Sequence, residues 1–179
     1  MEDKEILEKF SQPESQNMAF NQLVRKYQQK IYWHIRKMVI NHDDADDLTQ
    51  EVFVKVWKNL GNFRQDAQLY TWIYRIATNE CLTFLSNKKK RFFLPIHDVA
   101  AELSEKIDTS PGISGDEIQL KLQKALLRLP DKQRLVFNMK YYDEMKYEEI
   151  SEILGTSVGA LKTSYHLAVK KIEEFIKLD

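Results

Sequence analysis

At 179 residues the chain suits one ordinary domain or two small ones, and a hydrophobic fraction of 43% with three Trp, eight Tyr and nine Phe excludes disorder along its whole length. Its 27 basic and 27 acidic residues cancel, which argues against a generic nucleic-acid binder unless the charges are segregated along the chain. Cys81 is the single cysteine, so an intrachain disulfide and a cysteine-rich zinc site are both excluded, and a reducing compartment fits that usage.

The opening Met1-Glu2-Asp3-Lys4-Glu5 has no basic n-region and no apolar stretch behind it, so no signal peptide is expected. No apolar run approaches the roughly 20 residues that span a bilayer, and the expectation is a cytoplasmic protein. Few Gly and Pro, with many Leu, Lys, Glu, Ile and Gln, point to helices. Phe20, Leu23, Val24, Tyr27, Ile31, Ile35 and Met38 trace one face of a long first helix. A second helix runs from near Asp43 to near Gly61, with Leu48, Val52, Phe53, Val56, Trp57 and Leu60 inward. After a polar loop, a third runs from about Tyr70 to Asn87 and buries Ile73, Ile76, Ala77 and Leu85.

From Lys88-Lys89-Lys90-Arg91 to Gly115 the periodicity is lost, and Thr109-Ser110-Pro111-Gly112-Ile113-Ser114-Gly115 packs turn formers together. That stretch reads as a linker with room for a short helix over Val99 to Lys106. Periodicity resumes from Asp116, where Leu120, Leu122, Leu126, Leu127 and Leu129 lead to Pro130. The proline ends one helix and Asp131 caps or opens the next. The expected fold class is therefore all-α: two small helical domains, 1–90 and 116–179, joined by a flexible linker over 91–115.

The clearest local pattern spans Tyr147 to Lys162. A short helix turns Ile150, Ile153 and Leu154 inward, Gly155 supplies a sharp turn, and Thr156 or Ser157 caps a second helix. That helix buries Val158, Leu161, Tyr165, Ala168 or Val169, and Ile172. This is a helix-turn-helix, whose second helix is shaped for a DNA major groove. Its exposed side offers Ser157, Gly159, Lys162, Thr163, His166, Lys170 and Lys171, with cations for phosphates and Lys162 for guanine edges. A helical hairpin with a solvated basic face is the plainer alternative.

Asp43, Asp44, Asp46 and Asp47 crowd the start of the second helix, where carboxylates favour the helix dipole. Asp47, Gln50 and Glu51 share its outward face. A docking surface for a basic partner, a merely solvated acidic face and a metal site are the readings. The metal reading is the weakest, because exposed helical carboxylates without inward His are poor ligands. Next come Phe63, Arg64, Tyr70, Trp72, Tyr74, Arg75 and Asn79, and then the basic run from Lys88. Aromatics interleaved with cations suit single-stranded DNA, although Trp72 also belongs in part to a core.

In this order the motifs resemble the extracytoplasmic-function (ECF) group of bacterial RNA polymerase sigma factors. Asp46-Asp47-Leu48-Thr49-Gln50-Glu51-Val52-Phe53 resembles the family's polymerase-binding helix. Phe63-Arg64-Gln65-Asp66 followed by Tyr70 through Asn79 resembles its minus-ten loop and helix, and Leu129 through Phe137 with the helix-turn-helix resembles its minus-thirty-five domain. The resemblance implies that Asp46, Asp47, Gln50 and Glu51 dock on the clamp of the largest subunit of core RNA polymerase. It implies that Phe63, Arg64, Gln65, Asp66, Ala67, Trp72, Arg75, Asn79, Lys88 and Lys89 hold the melted minus-ten element of promoter DNA. Ser157, Gly159, Lys162, Thr163, His166 and Lys170 would face the minus-thirty-five element. The middle segment would thread toward the polymerase active-site channel, and an anti-sigma factor, often membrane-bound in this family, would hold the chain inactive. The family's large N-terminal extension of housekeeping members is missing, which implies an alternative sigma. Ser164 and Leu167 stand where Arg is common and Lys162 replaces another, which implies weaker phosphate attraction and a shallower salt dependence.

The resemblance implies no catalytic residue, no metal, no cofactor and no small-molecule substrate. Two rivals remain: a dimeric helix-turn-helix regulator, which leaves the acidic helix and aromatic stretch unexplained, and an enzyme using His34, His42, His97 or His166. No two of those histidines have metal-ligand spacing, and no nucleophile or glycine-rich phosphate loop accompanies them.

Overall fold

The computed structural model describes residues 1–92 and 117–178. Among them lie eight α-helices, one 3₁₀ turn and no β-strand, as the periodicity implies. They are α1 (Asp3–Phe10), α2 (Gln16–Val39), α3 (His42–Asn59) with the 3₁₀ turn Leu60–Asn62, and α4 (Leu69–Phe92). The second unit comprises α5 (Glu117–Leu126), α6 (Asp131–Tyr141), α7 (Tyr147–Leu154) and α8 (Val158–Leu178). The short helix over Val99 to Lys106 and the turn-rich end of the expected linker lie outside the described residues.

In the first unit, α2 presents Ala19, Leu23, Tyr27, Ile31, Ile35 and Met38 to α3 and α4, a stripe with the three-and-four spacing of a helix packed along one face. α3 answers with Leu48, Val52, Phe53 and Val56, and α4 with Ile73, Tyr74, Ala77, Cys81 and Leu85. The turn between α2 and α3 is tight. Ile40 takes a φ of 67°, an unfavourable value for a β-branched residue, and its carbonyl is held by the Arg36 Nε–H at 2.7 Å. Asn41 then caps α3 by accepting the Asp44 N–H at 3.0 Å.

Two boundaries differ from expectation. α4 continues through Lys88-Lys89-Lys90-Arg91 to Phe92, so the basic run is helical and not the opening of the linker. Arg and Lys are good helix formers, and composition alone does not separate a charged helix end from a charged loop. The helix α1 was not anticipated. Ile6, Leu7 and Phe10 carry the spacing that would have revealed it, and Asp3 fixes it to α2 by accepting hydrogen bonds from Lys26 Nζ at 2.7 Å and Tyr27 Oη at 2.6 Å. Phe10 and Phe20 both meet the edge or face of Trp57, with ring centroids 5.4 and 5.0 Å away.

In the second unit Ala125, Leu126, Leu129, Phe137, Ala168 and Ile172 form a core of their own. Leu135, Val136, Met139, Met145, Ile150, Ile153 and Leu161 instead join the apolar cluster of α1–α4. The two units are therefore packed together.

Candidate nucleic-acid interface

The helix-turn-helix forms as its residues dictate. Gly155 closes α7 with a φ of 66° and donates its N–H to Ser151 O at 2.8 Å, a left-handed stop that a side chain would strain. Ser157, not Thr156, caps α8 by accepting the Ala160 N–H at 3.2 Å. Leu161, Ala168 and Ile172 are buried, while Val158, Tyr165 and Val169 are half-buried. Ala168 thus takes the innermost place of the pair left open with Val169. Gly159, Lys162, Thr163, His166 and Lys170 fall in one stripe on the outer side, all exposed, with Ser157 at its start. Lys171 turns away to donate to Gln133 Oε1 at 3.2 Å.

Opposite in sign is the outer face of α3, where Asp46, Asp47, Gln50 and Glu51 are all exposed. Gln50 Nε2 donates weakly to Asp46 Oδ2 at 3.4 Å. Beside them a groove of about 500 Å³ runs over Phe20, Val24, Phe53, Val54 and Trp57, with Asp46 and Gln50 on its rim. An apolar floor edged by the Asp46 carboxylate and the Gln50 amide suits a partner that brings both aliphatic and cationic side chains.

The expected minus-ten residues divide into two groups. Phe63 and Trp72 are half-buried and lie against each other with ring centroids 5.1 Å apart, so these two rings anchor the loop to the first core. Arg64, Gln65 and Asp66 project from the anchored loop and are exposed, and Ala67 is half-buried. Trp72, Arg75 and Asn79 continue this surface along α4 at helical spacing. Lys88 and Lys89 lie on the same helix about 14 Å beyond Asn79, at 1.5 Å per residue. They are not part of the loop cluster, and Lys89 Nζ pairs with Asp131 Oδ2 at 2.6 Å.

Among the described residues no group of three or more His, Cys, Asp or Glu is arranged to hold a metal ion, and no helix is long and apolar enough to cross a membrane. Cys81 is buried, and burial pushes its thiol up to about 12.

Comparison with known proteins decides what these surfaces belong to. Residues 23–91 match Sigma-70 region 2 and residues 119–172 match Sigma-70, region 4. Over 156 residues the chain is 33% identical to the ECF RNA polymerase sigma factor SigW of Bacillus subtilis (strain 168), covering 83% of each. The chain belongs to the ECF family of RNA polymerase sigma factors. It is also 29% identical over 186 residues to the RNA polymerase sigma-H factor of Pseudomonas aeruginosa, covering 98% of this chain and 94% of that one. Two solved structures share its fold. The sigma factor RpoE of Bartonella quintana, solved in complex with the anti-sigma factor NepR, matches with a TM-score of 0.66 at 21% identity over 89% of this chain and 98% of that one. CnrH, solved in complex with the cytosolic domain of CnrY, matches with a TM-score of 0.65 at 24% identity over 91% of this chain and 90% of that one. As an ECF sigma factor the protein directs promoter-specific transcription initiation by RNA polymerase, and its family is not one of catalysts.

Sequence reading missed one polar cluster in this sigma factor. The carboxylate of Asp143, in the turn between α6 and α7, accepts hydrogen bonds from Lys37 Nζ and Tyr74 Oη. His34 lies behind them, fully buried, its ring centroid 4.0 Å from that of Tyr74 at a tilt of 31° and its Nε2 hydrogen-bonded to Thr78 Oγ1 at 2.9 Å. Burial drives the His34 imidazole down to about 4, although Asp143, 3.8 Å from Nδ1, favours the cation. Burial first, and Asp143 second, also raise the Tyr74 hydroxyl far above its ordinary value and push Tyr70 up to about 12.

The His34 displacement carries a definite sign. Because its folded value lies below 6.5, the unfolded chain takes the proton first, and stability falls as pH is lowered from about 6.5 to 4. At about 1.4 kcal/mol per pKa unit the loss reaches about 3 kcal/mol. Urea unfolding at pH 7 and pH 4 is expected to show this loss in the wild type and a correspondingly smaller one in His34→Gln.

Proposed function

We propose that this ECF sigma factor divides its work between two surfaces of opposite charge. The exposed face of Asp46, Asp47, Gln50 and Glu51, with the apolar groove beside it, docks on the basic clamp of the polymerase's largest subunit. The loop Phe63, Arg64, Gln65, Asp66 and Ala67, with Trp72, Arg75 and Asn79, holds melted minus-ten bases, and Lys88 and Lys89 follow the strand backbone. Ser157, Gly159, Lys162, Thr163, His166 and Lys170 meet the minus-thirty-five element in the major groove. This division, with region 2 over 1–90 and region 4 over 116–179, explains a neutral chain that nonetheless binds DNA: the acidic surface faces protein and the cationic stripe faces phosphates.

The observation that carries the reading is the α8 stripe, exposed from Ser157 to Lys170 on a helix seated by Leu161, on the same chain as the exposed α3 carboxylates. The protein acts in the cytoplasm, on polymerase, and has no catalytic activity of its own. An anti-sigma factor restrains it, a reading supported by the RpoE relative in complex with the anti-sigma factor NepR.

The test is reconstitution. Purified chain is mixed with sigma-free core polymerase, resolved by gel filtration, and the complex is used for transcription from genomic fragments. Co-migration with discrete transcript starts is expected. A folded chain that neither co-migrates nor directs initiation, while binding palindromic duplex as a dimer, would overturn the reading in favour of a polymerase-independent regulator.

A further inference from the structure

A cavity of about 160 Å³ lies between the C-terminal end of α2 and helices α5 and α6. Ile40, Leu126 and Leu127, all buried, give it apolar walls, and Trp33 forms part of its rim. An apolar cavity of about 150 Å³ is large enough to take benzene. A single ring or a short branched chain therefore fits, whereas a nucleotide belongs in pockets of roughly 300 Å³ or more. The charge of the lining has one sign. Arg36, Lys37 and Arg134 contribute to it, and no Asp or Glu does.

Of these cations Arg134 is the least compensated. It is only 2% exposed, and its guanidinium donates to Met38 O at 3.0 Å while its Nε has no hydrogen-bond partner. Its nearest carboxylate, Asp131, lies 3.8 Å away and is shared with Lys89, which holds the other oxygen at 2.6 Å. Burial accordingly lowers the Arg134 pKa, and Asp131 offsets only part of that cost. A second donor stands beside it: the Tyr142 hydroxyl also lines the cavity, is buried, and has no partner. Burial raises that hydroxyl above its ordinary value, so it keeps its proton. A buried cation and a buried hydroxyl without acceptors both gain from an anion, since each has given up water for nothing in return.

We propose that this cavity is a binding site for a small organic acid, a carboxylate on a body the size of one ring, with its charge toward Arg134 and Tyr142 and its apolar body against Ile40, Leu126 and Leu127. The carboxylate supplies the acceptors that the guanidinium and hydroxyl lack, in charge-assisted hydrogen bonds. The apolar walls discriminate against an inorganic anion, which would leave them uncovered, and the buried cation discriminates against a neutral ring of the same size. None of the lining residues is among those assigned to polymerase or promoter DNA. A sigma factor that bound no acid would still be a sigma factor.

The experiment uses the full chain, isotopically labelled for NMR, with benzoate as the probe and benzamide and inorganic phosphate as comparisons. Benzoate is expected to bind saturably with a dissociation constant below about 1 mM, and benzamide about ten-fold more weakly or less. Phosphate at equal concentration should not displace benzoate. Benzoate should shift the Nε–Hε resonance of Arg134 and give contacts from its ring protons to the methyls of Ile40, Leu126 and Leu127. Tyr142→Phe removes a hydroxyl with no partner in the fold, so its melting temperature should not fall, while its benzoate affinity should drop about five- to ten-fold. Absence of saturable binding up to about 10 mM overturns the proposal. So does benzamide binding as tightly as benzoate, which would make the cavity merely apolar, or phosphate displacing benzoate at equal concentration, which would make it a general anion site. Binding that leaves the Arg134 resonance and the three methyls unmoved, or that Tyr142→Phe does not weaken, places benzoate elsewhere and also rejects it.

Discussion

Alanine at Asp47, Gln50 and Glu51 together is expected to raise the dissociation constant for core polymerase by at least about 100-fold, equivalent to about 3 kcal/mol. All three side chains are exposed, and none accepts or donates a hydrogen bond that holds the fold, apart from the weak Gln50–Asp46 contact. Alanine is also the best helix former, so α3 should be undisturbed and the melting temperature nearly unchanged. The loss would therefore belong to binding. Carboxylates desolvated against basic partners leave those cations buried and unpaired when removed, which is where most of such a penalty arises. Fluorescence titration of labelled chain with core polymerase measures the effect. A change below three-fold would show that the acidic face is only a solvated helix surface.

Leu161→Ala is expected to cost about 2–5 kcal/mol of unfolding free energy and to abolish binding to duplex minus-thirty-five DNA. Leu161 is 1% exposed and seats α8 in the same apolar cluster as Ile150 and Ile153. Its truncation leaves a cavity under the helix that carries Lys162, Thr163 and His166. Leu167, two turns along and 43% exposed, provides the contrast, since Leu167→Ala should alter stability by no more than about 0.5 kcal/mol. Thermal melts and duplex binding of both variants distinguish a lost helix seat from a general loss of apolar side chains. Co-migration of Leu161→Ala with core polymerase should persist at low temperature, because the α3 surface lies on the other unit.

The helix-turn-helix was legible because every determinant is local. Gly155 for a left-handed stop, a hydroxyl for the cap, and apolar residues three and four apart are all read within sixteen residues. The acidic face of α3 was legible for the same reason, since i, i+3 and i+4 fall on one side of any helix. Less legible was the division of the aromatics. Phe63 and Trp72 turn out to brace each other at the rim of the core, and only their packing distinguishes an anchor from a stacking platform.

The positions of α2, α3 and the helix-turn-helix, the sign of each surface and the exposed stripe of α8 were thus determined by the sequence alone. The tertiary structure alone decided that Asp143 reaches Lys37, 106 residues away, that Arg134 is buried on the Met38 carbonyl, and that His34 is held neutral between Tyr74 and Thr78. The reason is physical. Periodicity and capping act over one or two turns of chain, whereas a buried ion pair or hydrogen bond depends on which distant group desolvates it and which meets it. Asp143 in sequence is one more turn-forming residue; it becomes the centre of an interface only when two helices from the other unit close around it.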